Sequence, residues 1–80
     1  MGRPFLGWFE VREAMGRLGA LERLSETQAR YMRGYFDGPP GVTMQAVADA
    51  CGVSRSDVSR VIHNGCDALV RAGYLAPGVV

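Results

Sequence analysis

Lysine is missing from this chain, and all nine basic side chains are arginine. Eight acids oppose them, leaving a net charge of only +1 over 80 residues. Residues 1–40 hold six arginines and five acids, and residues 41–80 hold three of each. A protein held to nucleic acid by bulk charge is far more basic. Any such contact here must come from where the arginines stand. Cysteine is also scarce. Cys51 and Cys66 cannot build a disulfide framework, which excludes the small stapled secreted class. No C-x-x-C or H-x₃₋₅-H pair is present, so a structural zinc site has no ligand set. The one histidine, His63, lies three residues before Cys66 with no orienting third group, which leaves an enzyme without a nucleophilic centre and without an implied cofactor. No apolar run approaches the roughly 20 residues that cross a bilayer, and no secretory leader opens the chain. The expectation is a cytoplasmic protein without a membrane partner.

What the chain does have is apolar residues in helical register. Hydrophobic residues make up 48% of it, ample for one small all-α domain over residues 1–80. Trp8, Val11, Met15 and Leu18 follow the 3–4 spacing of one helical face, with Phe5, Ala14 and Leu21 beside it. That defines an N-terminal helical segment over 5–23, and Gly16 and Gly19 predict a break near 16–20. Ser25-Glu26-Thr27-Gln28 fits a capping box for a helix over 26–36 that buries Ala29, Met32 and Phe36 with help from Tyr35. Asp37-Gly38-Pro39-Pro40-Gly41 stops it.

Val42 to His63 then reads as a complete helix-turn-helix, with helices over 43–51 and 54–72. Small Ala48 lets the two helices approach, and Gly52 supplies the conformation needed at the turn. Val53 and Val58 fill the angle between them, sealed by Val47 and Val61. Thr43 and Ser54 are placed as N-caps. On the second helix Val58, Val61, Ile62, Gly65 and Leu69 share an arc of about 100°, while Arg55, Ser56, Ser59, Arg60 and His63 fall on nearly the opposite one. Asp57, at the third helical position, is expected to favour the helix N-terminus without facing a phosphate. Gly73 marks the helix end, and 74–80 form a tail. The whole is a small bundle of four or five helices.

The motif resembles the helix-turn-helix of bacterial LacI-family repressors, V-T-x-x-x-V-A-x-x-A-G-V-S-x-x-T-V-S-R-V. Val42, Thr43, Val47, Ala48, Gly52, Val53, Ser54, Val58, Ser59, Arg60 and Val61 match, while Cys51 and Asp57 stand where Ala and Thr are usual. A longer stretch, Leu24 to about Leu69, resembles region 4 of bacterial sigma factors through Leu24-Ser25 and Tyr35-Phe36-Asp37-Gly38, although Pro39-Pro40-Gly41 is an insertion relative to it. The layout is also similar to small phage and plasmid repressors of the TrfB type.

These resemblances imply a transcriptional regulator of bacterial, phage or plasmid origin that reads double-stranded DNA. They imply that Ser54, Arg55, Ser56, Ser59 and Arg60 lie nearest the bases, with the arginines forking onto guanine or phosphate. Thr43 and Gln45 would meet phosphates, as would His63 one turn on. Phe5, Trp8 and Phe9 crowd the N-terminus and suit either the core or a homodimer interface that places two motifs about 34 Å apart on a pseudo-palindrome. The expected role is a dimeric repressor that blocks polymerase. A second reading is an interaction module that borrows the fold to bind RNA polymerase or a phage assembly or packaging partner.

Overall fold

A computed structural model describes residues 7–39 and 41–78. It contains four α-helices: α1 (Trp8–Met15), α2 (Glu26–Phe36), α3 (Met44–Cys51) and α4 (Arg55–Arg71). A 3₁₀ turn at Leu21–Arg23 links α1 to α2, and no strand occurs among the described residues. The all-α bundle expected from periodicity is what the chain forms.

Each helix begins where its polar residues direct. Ser25 opens α2 with both halves of the capping box. Its Oγ accepts from the Gln28 N–H at 3.1 Å, and its own N–H donates to Gln28 Oε1 at 2.9 Å. Thr43 Oγ1 accepts from the Ala46 N–H, and Ser54 Oγ from the Asp57 N–H, each at 3.1 Å. Such caps contribute about 1 kcal/mol each by satisfying backbone donors that the first turn leaves unpaired. α4 closes on paired bonds from Tyr74 N–H to the Leu69 carbonyl and from Gly73 N–H to the Val70 carbonyl, the Schellman pattern. This turns Tyr74 back toward the start of the fold. Its hydroxyl donates to the Leu18 carbonyl at 3.0 Å, tying the chain after α4 to the turn after α1.

The core runs through all four helices, with Val11, Met32, Phe36, Val58, Ile62 and Leu69 its main fully buried side chains. α4 packs most extensively on α2 and next on α3, while α1 lies against α2. The α2–α4 approach depends on Gly65. A Cβ there would occupy the space held by Met32 Sδ, and Met32 is itself fully buried. No polar or charged side chain is buried among the described residues, so the core between the helices is apolar.

Several sequence expectations need correction. Leu18 does not continue the α1 face. The helix stops at Met15, the period is lost through Gly16, and Leu18 ends 98% exposed. In α2 the buried set is Tyr31, Met32, Tyr35 and Phe36, with Ala29 only half-buried, because that helix is covered on a wider arc than one neighbour would cover. In α4 Val61 is half-buried, and Cys66 takes a fully buried place instead.

The Gly65 contact makes a stability prediction. Gly65→Val should cost about 1–3 kcal/mol by overpacking. Met32→Ala should cost about 2–5 kcal/mol by leaving a cavity. Because both act on one space, the double variant should lose clearly less than the sum in urea denaturation. Strict additivity would show that the two residues do not meet.

Candidate nucleic-acid interface

The turn between α3 and α4 sets the geometry of the motif. Gly52 lies at φ 70° and ψ 33°, a left-handed conformation that reverses the chain within one residue. The Val53 N–H then donates to the Ala48 carbonyl at 3.0 Å, closing the turn. Ala48 and Val58 are fully buried in the angle between the helices, with Val47 beside them and Val53 half-buried. Ser54 starts α4 two residues after the turn glycine.

α4 changes character along its length. Arg55 and Cys66 lie on almost one line of the helix, eleven residues or about three turns apart. Arg55 is exposed, yet Cys66 is fully buried. Along this line the C-terminal turns are therefore embedded while the first turn projects into solvent, although Val58 on its other side is fully buried against α3. Burial also pushes the Cys66 thiol up to about 12, with the Asp67 charge adding to it. The thiolate needed for nucleophilic chemistry is thus suppressed at neutral pH.

The solvent side of the first turns of α4 carries most of the expected contact residues. Arg55, Ser56, Arg60 and His63 are exposed, and Ser59 is half-buried beside them. Ser54, Thr43 and Gln45 are exposed at the starts of their helices. Several of these groups already have protein partners. The Ser54 and Thr43 oxygens accept cap bonds, which leaves each hydroxyl proton to donate elsewhere. Gln45 Nε2 donates to Asp49 Oδ1 at 2.9 Å. Arg60 Nη2 lies 3.2 Å from Asp57 Oδ1 as a hydrogen-bonded ion pair. This last contact adds to the expectation for Asp57, which stands in the first turn of α4 with its backbone N–H serving the cap and its carboxylate paired with Arg60.

The three residues assigned to a dimer contact fare differently. Phe5 lies outside the described residues. Trp8 is half-buried, its ring 6.3 Å from Phe36 and edge-on to Phe9 at 5.0 Å, with the Arg12 guanidinium 5.5 Å above it. Trp8 thus borders the core, while Phe9 is 73% exposed. Sequence periodicity missed Leu18 as the second exposed large hydrophobic, since only the helix end at Met15 turns it outward. An open cavity of about 270 Å³ lies beside Phe9, lined also by Glu13, Arg17 and Tyr74.

A family model described as "HTH DNA binding domain" matches residues 24–71, three-fifths of the chain. The match takes in α2, α3 and α4 and leaves out α1. No curated protein and no solved structure matches the chain.

The turn itself can be tested by substitution at Gly52, where a Cβ would meet nothing within 4 Å. Steric clash is absent, so only the left-handed backbone penalty of about 1–2 kcal/mol remains. Thermal melts should rank Gly52 above Asn, Asn above Ala, and Ala above Val. Equal melting temperatures for Gly52→Ala and wild type would refute the left-handed turn.

Proposed function

The chain belongs to the HTH DNA binding domain family, and from that membership we propose that it is a sequence-specific transcriptional regulator acting as a dimeric repressor in the cytoplasm. The observation that carries this reading is the projecting start of α4, where exposed Arg55 and Arg60 flank short serines. Short side chains let the helix backbone approach the major groove, and each guanidinium can fork onto guanine O6 and N7. Arg55 and Arg60 read bases. Ser54, Ser56 and Ser59 take the nearest base edges or phosphates. Thr43, Gln45 and His63 meet the backbone on either side. Repression follows from occupancy of an operator that polymerase must cross.

The reading includes a dimer because one motif with two arginines has few contacts. Two copies on a pseudo-palindrome combine theirs, at a spacing of about one helical turn, 34 Å. The exposed Phe9 and Leu18 are the apolar anchors of that contact. They equally favour a second reading, in which the same surface docks on RNA polymerase or another protein. Among the described residues no helix is long and apolar enough to cross a membrane.

Selection from random duplex DNA at about 150 mM salt, where non-specific phosphate binding is weakened, tests the DNA reading. Wild type should enrich one palindromic motif, and the Arg55→Ala/Arg60→Ala variant should enrich none, because each base-reading pair contributes about 1–3 kcal/mol of discrimination. Equal enrichment by both proteins would refute the assignment of these arginines. For the dimer, sedimentation should give a two-fold assembly that Phe9→Glu or Leu18→Glu reduces to monomer. A wild-type monomer at micromolar concentration would favour the protein-partner reading.

A further inference from the structure

Asp57 is the acidic residue in the first turn of α4, and its carboxylate pairs with Arg60 at the edge of the face assigned to DNA. The motif from Thr43 to His63 holds two arginines, Arg55 and Arg60, against two aspartates, Asp49 and Asp57, so its formal charge is zero with His63 neutral. An acid there repels phosphate and weakens non-specific binding. As a source of fold stability the Asp57–Arg60 pair is poor, because both side chains are more than half exposed. The geometry instead suits a recognition device. Arg60 sits one turn C-terminal to Asp57, and Nη2 donates to Oδ1 at 3.2 Å. The bond engages one corner of the guanidinium. The bond biases the remaining N–H groups toward one direction, whereas an untethered arginine spreads over more rotamers and reaches phosphates as readily as bases.

Resting on the DNA reading above, we infer that Asp57 is a specificity-determining positioning residue. It holds Arg60 on a guanine of one G·C pair and denies it the phosphate backbone. The carboxylate repels phosphate oxygens and leaves the base contact to the arginine. Non-specific affinity is given up for discrimination. This accounts for an almost neutral chain that nonetheless reads DNA.

The experiment compares wild type, Asp57→Asn, Asp57→Ala, Arg60→Ala and Asp57→Ala/Arg60→Ala on the site that wild type selects. Single-base variants of that site and a range of salt concentrations complete the set. Loss of the carboxylate should raise affinity for unrelated duplex several-fold and steepen the log–log salt dependence by about one, the signature of one added phosphate contact. Preference for guanine at one position should fall about tenfold or more, the scale of a bidentate base contact. In the Arg60→Ala background, Asp57→Ala should no longer change base preference, because the residue acts through the arginine. Circular dichroism melts of the near-isosteric Asp57→Asn guard against loss of the fold, which would not produce a change at a single base position. A selected site with unchanged base preference and salt slope in both Asp57 variants overturns this assignment alone. An effect of equal size with and without Arg60 also overturns it, by making Asp57 a direct reader. Failure of wild type to select any site overturns the DNA reading beneath it.

Discussion

The close approach of α2 and α4 at Met32 and Gly65 determines where the exposed end of α4 points. A glycine in a helix interior costs about 1 kcal/mol relative to alanine. It is tolerated here because Met32 Sδ fills the space that a side chain would need. With that contact made, Ile62, Cys66 and Leu69 are drawn fully into the core. The α4 axis is then set by these residues together with Val58, and one side of its first turn is left to solvent with Arg55 and Ser56 exposed. α3 is added to this frame by the Gly52 turn and by Ala48, whose small side chain permits the tight angle. The exposure of Arg55 and Ser56 therefore depends in part on an apolar contact further along the same helix.

The electrostatics follow from the same separation. With no charged side chain in the core among the described residues, every arginine there is free to be arranged by its surface neighbours. Three form ion pairs within their own helices: Arg30 with Glu26, Arg60 with Asp57 and Arg71 with Asp67. Each contributes little to stability, about 0–1 kcal/mol. The Arg60–Asp57 pair differs from the others in location. It stands near the start of α4, where a carboxylate alters what a neighbouring guanidinium can reach. A low net charge is then compatible with DNA recognition, provided that recognition relies on base contacts more than on phosphate neutralisation.

α1 lies outside the matched family region and supplies a different surface. Its inner face joins the core through Val11, Ala14 and Met15, while Phe9 is left to solvent. The Tyr74 hydroxyl holds the turn after α1 in place through the Leu18 carbonyl, and the Leu18 side chain points away from the bundle. Apolar anchors held on an ordered turn suit a contact surface better than a loose tail would, because less conformational entropy is lost on association.

Local chemistry was legible in the sequence wherever a few neighbouring residues decide the outcome. The capping box at Ser25, the caps at Thr43 and Ser54, and the left-handed Gly52 each depend on residues at most three apart. So does the break after Met15. The arginine–serine face of α4 was visible for the same reason, since helical period alone places it. Two features needed the tertiary structure, the burial of Cys66 and Tyr31 and the exposure of Leu18, while the pairing of Asp57 with Arg60 is local to one helix turn. Burial at a given helical angle depends on which neighbour covers that turn, so Arg55 and Cys66 can share one line and meet opposite surroundings. A side chain's choice between its own helix terminus and a neighbouring guanidinium depends on rotamers, which periodicity does not encode. The sequence by itself determined the helices and the residues on each face. Only packing decided which part of α4 is free to meet a partner.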